Sequence, residues 1–561
     1  MPYISTRGKT QQTSLFETLL TGLAPDGGLY LPAKLPYFSP KHLTAFSRQS
    51  YEEIAYAVLN PFFTDLVGTT TSATPITQTL PLRNILKKSY QSFRAPNRLP
   101  IEKLKITSSH EIFLAELFHG PTYAFKDFAL QFLAPITEFV LNQANKTCIV
   151  LGATSGDTGS AAITAFKDIA NGTIVILHPH SRISPIQRRQ MTTTGSAKVI
   201  NLAVKGTFDD CQRLVKNCLN DTTLNKKLRH NLIAVNSINW VRILAQSVYY
   251  FYIYSRITGR PDSTPNTSST GNTLSHLKNA STPKDVHHLP KVNFVVPTGN
   301  FGDVFAGYLA LKMGVPINKL IVATNANNVL HRFFQKNTYT PAAITQTHSP
   351  SMDIATASNF ERYLYYVLDE DAAQVRAAFK RLAETRTLSL TPAYFTKAKE
   401  HFTSTTTSND QTLKTIVDIY HKNHYLLDPH TAVGVHSAHQ YLTQPTEEKP
   451  SPATPTASHA KSHCPTIVLA TAHPAKFRTI IETAATQQST AYLNKADTTK
   501  TGTAKINADA LDLASKSSPS TLAALTNDPK LKALASLNDL KEEFKIIDKN
   551  EDTLKRILLN I

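Results

Sequence analysis

The chain has 561 residues, 41% of them hydrophobic and 18% charged, enough apolar material for several structural units and a sizeable buried core. No run of about 18 apolar residues occurs, which argues against a membrane span, and four cysteines without a C-x-x-C argue against a disulfide framework or a structural zinc site. The formal net charge of +18 is dispersed rather than striped or interleaved with aromatics, so it reads as a solvated basic surface that attracts anionic metabolites, and no nucleic-acid partner is expected.

The opening segment, MPYISTRGKTQQTSLFETLL, lacks the apolar core of a signal peptide, and a cytoplasmic location is expected. Helical patterns broken by prolines continue to about residue 98. Next comes ELFHGPTYAFKDFALQF (116–132), which sets Lys126 between Phe125 and Phe128 ahead of a helix. Burying an ammonium is costly, so such a lysine either snorkels to water or is kept for its amine chemistry.

From there, short β-branched runs alternate with helical patterns: TCIVLGA (147–153), TIVILHP (173–179), AKVINLAV (197–204), VNFVVPTG (292–299), KLIVATNA (319–326) and TIVLATA (466–472). Near-continuous Val/Ile runs predict parallel strands covered on both faces, hence an α/β class with ligands at the carboxyl ends of strands. Segments 259–288 and 442–463, and more loosely 485–505, are rich in Ser, Thr, Asn and Pro and read as inserted surface loops. The end of the chain, LKALASLNDLKEEFKIIDKNEDTLKRILLNI (531–561), predicts a pair of helices. The expected organisation is an N-terminal domain over 1–98, a catalytic α/β core over 99–484, and a polar linker with C-terminal helices over 485–561.

Two Gly-rich loops follow predicted strands. GATSGDTGSAA (152–162) fits neither the dinucleotide nor the nucleoside-triphosphate fingerprint, but it offers hydroxyls, backbone N–H groups and a helix start. VVPTGNFGDVFAGYLAL (295–311) repeats the design with no lysine or arginine in its loop, so an anion there would rest on backbone donors and the helix dipole. Two anion-ready loops and an apolar-flanked lysine suggest a phosphorylated aldehyde cofactor with an anionic substrate.

The stretches YISTRG, LLTGLAPDGGLYLP, HGPTYAFKDF, TSGDTGSAA, NSINWVRILAQ, PTGNFGD, SPSMDIATASNFER and TAHPAKF together resemble threonine synthase in its long bacterial and fungal form, from about residue 3 to about 480. The resemblance implies a tryptophan synthase β-like, fold type II architecture: two open twisted-sheet lobes plus an N-terminal helical domain. It implies pyridoxal 5'-phosphate as cofactor and conversion of O-phospho-L-homoserine and water to L-threonine and phosphate. Lys126 would be the Schiff-base lysine and the main base. Gly299, Asn300, Phe301, Gly302 and Asp303 would wrap the cofactor phosphate, and Thr471 would place its hydroxyl near the pyridine nitrogen. Thr154, Ser155, Asp157, Asn236, Ser237 and Arg242 are the substrate-binding candidates, with Arg242 the natural partner of the substrate phosphate.

For Arg242 the competing reading is a structural salt bridge, and for MDIATASNFER (352–362) a structural element is favoured over a site. Ala470 stands where the family often has glycine. No metal is expected, and the assembly is expected to be a monomer or homodimer. A phospho-lyase acting on O-phosphohomoserine and a catalytically inactive pyridoxal-phosphate-binding homologue are the alternatives.

Overall fold

The computed structural model describes residues 1–8, 12–64, 80–259, 289–444, 464–486, 534 and 536–561. The segments read as inserts near 259–288, 442–463 and 485–505 lie almost wholly outside the described residues.

The chain begins with β1 (Tyr3–Ser5), which pairs antiparallel with β2 (Tyr30–Pro32). Helices Leu15–Thr21 and Tyr51–Phe63 follow around it, each opened by a Ser/Glu capping box, Ser14 with Glu17 and Ser50 with Glu53. Such a box satisfies two otherwise orphaned helix donors at once. These helices pack on the long helix Trp240–Thr258, with Tyr3 edge-on to Trp240 and Tyr51 against Tyr252. Every residue from Trp240 to Ser255 is buried. A helix buried all round belongs in the middle of a molecule.

Two sheets draw their strands from both sides of that helix in sequence. β3 (Ile101–Lys105) and β4 (Glu111–Glu116) form an antiparallel hairpin. β5 (Cys148–Ala153), β6 (Gly172–Pro179), β7 (Val199–Lys205) and β8 (Asn231–Ala234) come before the helix. β9 (Val292–Pro297), β10 (Ile317–Thr324), β11 (Phe402–Thr406), β12 (Thr466–Ala470) and β13 (Lys545–Asp548) come after it. The first sheet runs β11-β10-β9-β12-β4-β3 and the second β13-β7-β6-β5-β8. All pairings in both are parallel except the edge hairpin β3–β4.

The continuous apolar runs follow from this layering. Within β5, Val150 joins the central core, while its neighbours Ile149 and Leu151 join a separate cluster on the other face with Leu214 and Leu554. Val296 and Val295 of β9 divide in the same way, Val295 packing with Ile416 and Val433. Alternate side chains leave opposite faces of a strand, so a strand covered on both faces must be apolar throughout.

The end of the chain departs from its expected helix pair. Within the described residues of 531–561, Leu534 and Glu551–Leu559 are α-helical, and between them a short 3-10 turn (Ser536–Asp539) leads into β13. Ile547 is buried beside Leu202 and Val204, while Ile546 is half exposed, the alternation of a strand on a sheet edge. Pairing with β7 decides the state of a stretch whose local composition also suits a helix.

Candidate active site

The carboxyl ends of β5, β8, β9 and β12 converge on one cleft, about 820 Å³ of space including its open mouth. Lys126, Asp157, Asn236, Ser237, Arg242, Gly299, Asn300, Phe301, Gly302, Asp303 and Thr471 all line it. Thr154 and Ser155 do not.

Lys126 is the first residue of helix Lys126–Gln143. Its placement begins with a short antiparallel contact between segments 123–125 and 471–473: the Phe125 N–H donates to Thr471 O at 2.8 Å and the His473 N–H to Tyr123 O at 3.1 Å. Asp127 closes the preceding turn by accepting from the Thr122 N–H and hydroxyl, both at 2.8 Å. Gly120 is required there, because a Cβ would stand 2.4 Å from that of Asp127. The Lys126 side chain is 12% exposed, its amine 4.5 Å from the Phe125 ring centre. Burial lowers its pKa, with Lys476 and Arg242 adding to the effect and Asp157 opposing it. A helix N-terminus further disfavours an ammonium.

The first Gly-rich loop is a turn built around Thr154, and Thr158 of the same loop lines the cleft. Thr154 is buried, and its hydroxyl accepts from the N–H groups of Gly156 at 2.9 Å and Gly159 at 2.8 Å. Ser155 sits half-buried in the same turn, away from the cleft lining. The Thr154 hydroxyl is thus engaged within its own turn, and neither Thr154 nor Ser155 is among the residues lining the cleft. Asp157 does reach the cleft, at the start of helix Asp157–Phe166. It is held by cations: Lys476 Nζ lies 2.6 Å from Oδ1 and Lys126 Nζ 3.4 Å from Oδ2. Gln187 and the Ser351 hydroxyl also donate to it. Burial would raise its pKa, but Lys476 and Lys126 hold it well below the usual carboxylate range.

In the second loop Phe301 has φ +62, the left-handed region, and immediately precedes helix Gly302–Lys312. Its ring is buried against Phe402, Phe334 and Phe360, which anchors the turn while the backbone faces the cleft. A Cβ on Gly299 would lie 2.9 Å from Ile354 Cγ1. The Asp303 carboxylate turns away from the loop, Oδ1 accepting from the hydroxyls of Tyr249 at 2.5 Å and Tyr250 at 3.0 Å. Burial raises its pKa to about 6. Its Oδ2 is buried without a hydrogen-bond partner among the described residues.

Arg242 occupies the first turn of the central helix. One terminal nitrogen donates to Val235 O at 2.9 Å, while Nε is buried without an acceptor. Among the described residues it forms no ion pair, so the structural salt-bridge reading fails. Burial pushes its pKa down to about 10. Arg362, by contrast, is wholly structural: it donates to Tyr30 O, Ile238 O and the Asn359 side chain, and Asn359 N–H donates to Asn300 O. The 352–362 motif thus braces the second loop, as its sequence suggested, although Met352 also lines the cleft.

Sequence reading missed His430, Ser351 and Lys476. His430 Nδ1 lies 2.8 Å from Asp428, its Nε2 accepts from the Ser351 N–H at 3.1 Å, and both His430 and Ser351 line the cleft. The signal for Lys476 was present: it lies between Ala475 and Phe477, an apolar flank like that of Lys126.

Two family models match the chain, "Threonine synthase N terminus" over residues 2–78 and "Pyridoxal-phosphate dependent enzyme" over residues 94–396. It is 39% identical over 491 residues to a threonine synthase of Pseudomonas aeruginosa, covering 88% of this chain and 92% of that one. The chain belongs to the threonine synthase family. Solved structures agree on the fold. A pyridoxal-phosphate-bound threonine synthase from Brucella melitensis matches with TM-score 0.75 at 34% identity, covering 100% of this chain and 99% of that one. The yeast threonine synthase matches with TM-score 0.75 at 33% identity, covering 99% and 98%. The architecture is that of the fold type II enzymes, as the motifs implied.

The residues present fit the family's cofactor, pyridoxal phosphate. A buried amine whose pKa is lowered by desolvation suits an aldehyde. A loop without cations at a helix N-terminus suits a phosphate bound through backbone donors.

Proposed function

We propose that this chain converts O-phospho-L-homoserine and water to L-threonine and phosphate, the last step of threonine biosynthesis. Pyridoxal phosphate, when bound, supplies an aldehyde that takes up an amine and a ring that accepts the electron pair left by a departing proton. Gly299, Asn300, Phe301, Gly302 and Asp303 would hold its phosphate through the backbone at the start of helix Gly302–Lys312. Lys126 is the amine that would meet the aldehyde, and its free amine would serve as base at the substrate's Cα and carry later protons at Cβ and Cγ. Thr471 would offer the ring nitrogen a hydroxyl, which could not hold that nitrogen protonated as a carboxylate would. More of the proton work therefore falls to Lys126.

Arg242 binds the substrate phosphate, with Asn236 and Ser237 as neutral hydrogen-bonding neighbours. Asp157 acts as a counter-ion to the lysines, a revision of its expected role as a substrate ligand. The observation that carries the reading is Arg242 itself. A buried guanidinium without a carboxylate partner is costly unless an anion completes it, and it shares the cleft with a desolvated lysine. The reading includes a monomer or homodimer in the cytoplasm and no nucleic-acid partner. Among the described residues no helix is long and apolar enough to cross a membrane.

The test is product analysis with O-phospho-L-homoserine. Threonine and phosphate in equal amounts are expected, and 2-oxobutanoate as the main product would instead indicate the phospho-lyase. Arg242→Gln should raise KM roughly a hundredfold, the loss of a buried charge-assisted contact of about 3 kcal/mol. An unchanged KM would remove Arg242 from the phosphate site.

A further inference from the structure

Asp157 stands between two lysines. Lys476 Nζ is 2.6 Å from its Oδ1 and donates to Thr122 O at 3.0 Å, and the Lys476 side chain is 0% exposed. Lys126 Nζ is farther from the same carboxylate, 3.4 Å from Oδ2. Lys476 is held rigidly, in the 3-10 turn Pro474–Phe477 capped by His473, whose Nδ1 accepts from the Ala475 N–H. Its anchor Thr122 lies in the turn leading to Lys126. One carboxylate is therefore shared by two fixed cations, with the tighter contact to the lysine that does not line the cleft.

In a dry site an anion beside an amine favours the ammonium form, and a cation close to that anion offsets the effect. Left alone with Lys126, Asp157 would hold it protonated and poorly nucleophilic. We propose that Lys476 is a positioning residue for Lys126: by binding Asp157 it keeps that carboxylate from locking the Lys126 amine as an ammonium ion. The inference rests on the reading of Lys126 as the amine that meets the aldehyde.

The other groups around Lys126 act in known senses. Arg242, from the central helix, works with Lys476 against the ammonium, and burial of Lys126 does the same. Asp303, from helix Gly302–Lys312, faces it while bound to Tyr249 and Tyr250. His430, from helix Pro429–Thr443, is bound to Asp428 and Ser351. Gln187, from helix Pro185–Thr192, donates to Asp157 at 2.8 Å. Asp127, on the helix of Lys126 itself, is turned to Thr122.

The test titrates Lys126 in the full chain by competitive labelling with trace acetic anhydride across roughly pH 6 to 11, read by peptide mass spectrometry. In wild type, loading with pyridoxal phosphate should protect Lys126. Absence of protection would refute the assignment of Lys126, a failure separate from that of the inference. In Lys476→Met the Lys126 midpoint should rise by about one pH unit, a roughly tenfold loss of reactivity at neutral pH. Lys476→Arg should keep the wild-type midpoint, and Lys476→Met with Asp157→Asn should return it to within about half a unit. An unchanged midpoint in folded Lys476→Met overturns the inference, as does a double variant that titrates like the single one. If Lys476→Met does not fold, Asp157→Asn decides: its midpoint must fall below wild type, and equality overturns the inference.

Discussion

Asp303 shows how much of a residue's role depends on what surrounds it. Its position after a glycine at a helix start suggests a carboxylate placed for the helix dipole, yet its oxygen meets two tyrosine hydroxyls and its pKa is raised to about 6. The folded chain therefore binds this proton more tightly than the unfolded chain, whose carboxyl titrates near 4. Between those values the native state carries the extra proton, so this carboxyl's contribution to stability falls as pH rises from about 4 to 6 and stays low above that window. Asp303→Asn should leave stability unchanged near pH 3.5 and raise it by up to about 3 kcal/mol at pH 7, measured by urea unfolding of the cofactor-free chain. A difference independent of pH would contradict the account. At this scale Lys126 was legible because an ammonium among aromatics demands explanation. The turn around Thr154 was not, because only the fold shows that its hydroxyl accepts from two glycine N–H groups of its own loop. That Arg242 forms no ion pair among the described residues is equally a tertiary fact.

At the scale of elements, the second loop combines a strained backbone with a deeply seated side chain. Phe301 takes a left-handed φ that a phenylalanine rarely adopts, and its ring among Phe334, Phe360 and Phe402 holds it there. Phe301→Ala should cost about 3 to 5 kcal/mol of stability and loosen the turn, so that pyridoxal phosphate affinity falls as well. Thermal unfolding and cofactor titration check both parts, and loss of stability with unchanged affinity would separate the ring from the loop. Six strands, β5, β6, β7, β9, β10 and β12, were legible because continuous β-branched runs have few other uses, while the shorter or less apolar β1, β2, β3, β4, β8 and β11 gave no such run. The C-terminal strand β13 was not, since FKIID is short and flanked by helix-forming charges, and only its pairing with β7 resolves the choice.

Across the whole molecule, the two sheets contribute different parts of one site. The first brings the Gly299–Asp303 loop and Thr471, the second brings Asp157, Asn236 and Ser237, and the central helix adds Arg242. The C-terminal segment is tied to the second sheet's side of the cleft: Glu542 pairs with Arg188 and Arg189, on the helix whose Gln187 donates to Asp157. The order of motifs could reveal the chemistry, but not that the chain's last strand closes the lobe that carries half of the site.

The central claim is that Lys126 works with pyridoxal phosphate to replace the γ-phosphate by adding water at Cβ. Turnover of O-phospho-L-homoserine in oxygen-18 water tests it most directly, because carbon–oxygen cleavage leaves the ester oxygen on phosphate and draws the new hydroxyl from solvent. The account predicts threonine carrying one solvent oxygen, newly released phosphate carrying none, and no product from Lys126→Ala. Solvent oxygen incorporated into phosphate during its release, or threonine formed by the alanine variant at the wild-type rate, would contradict it.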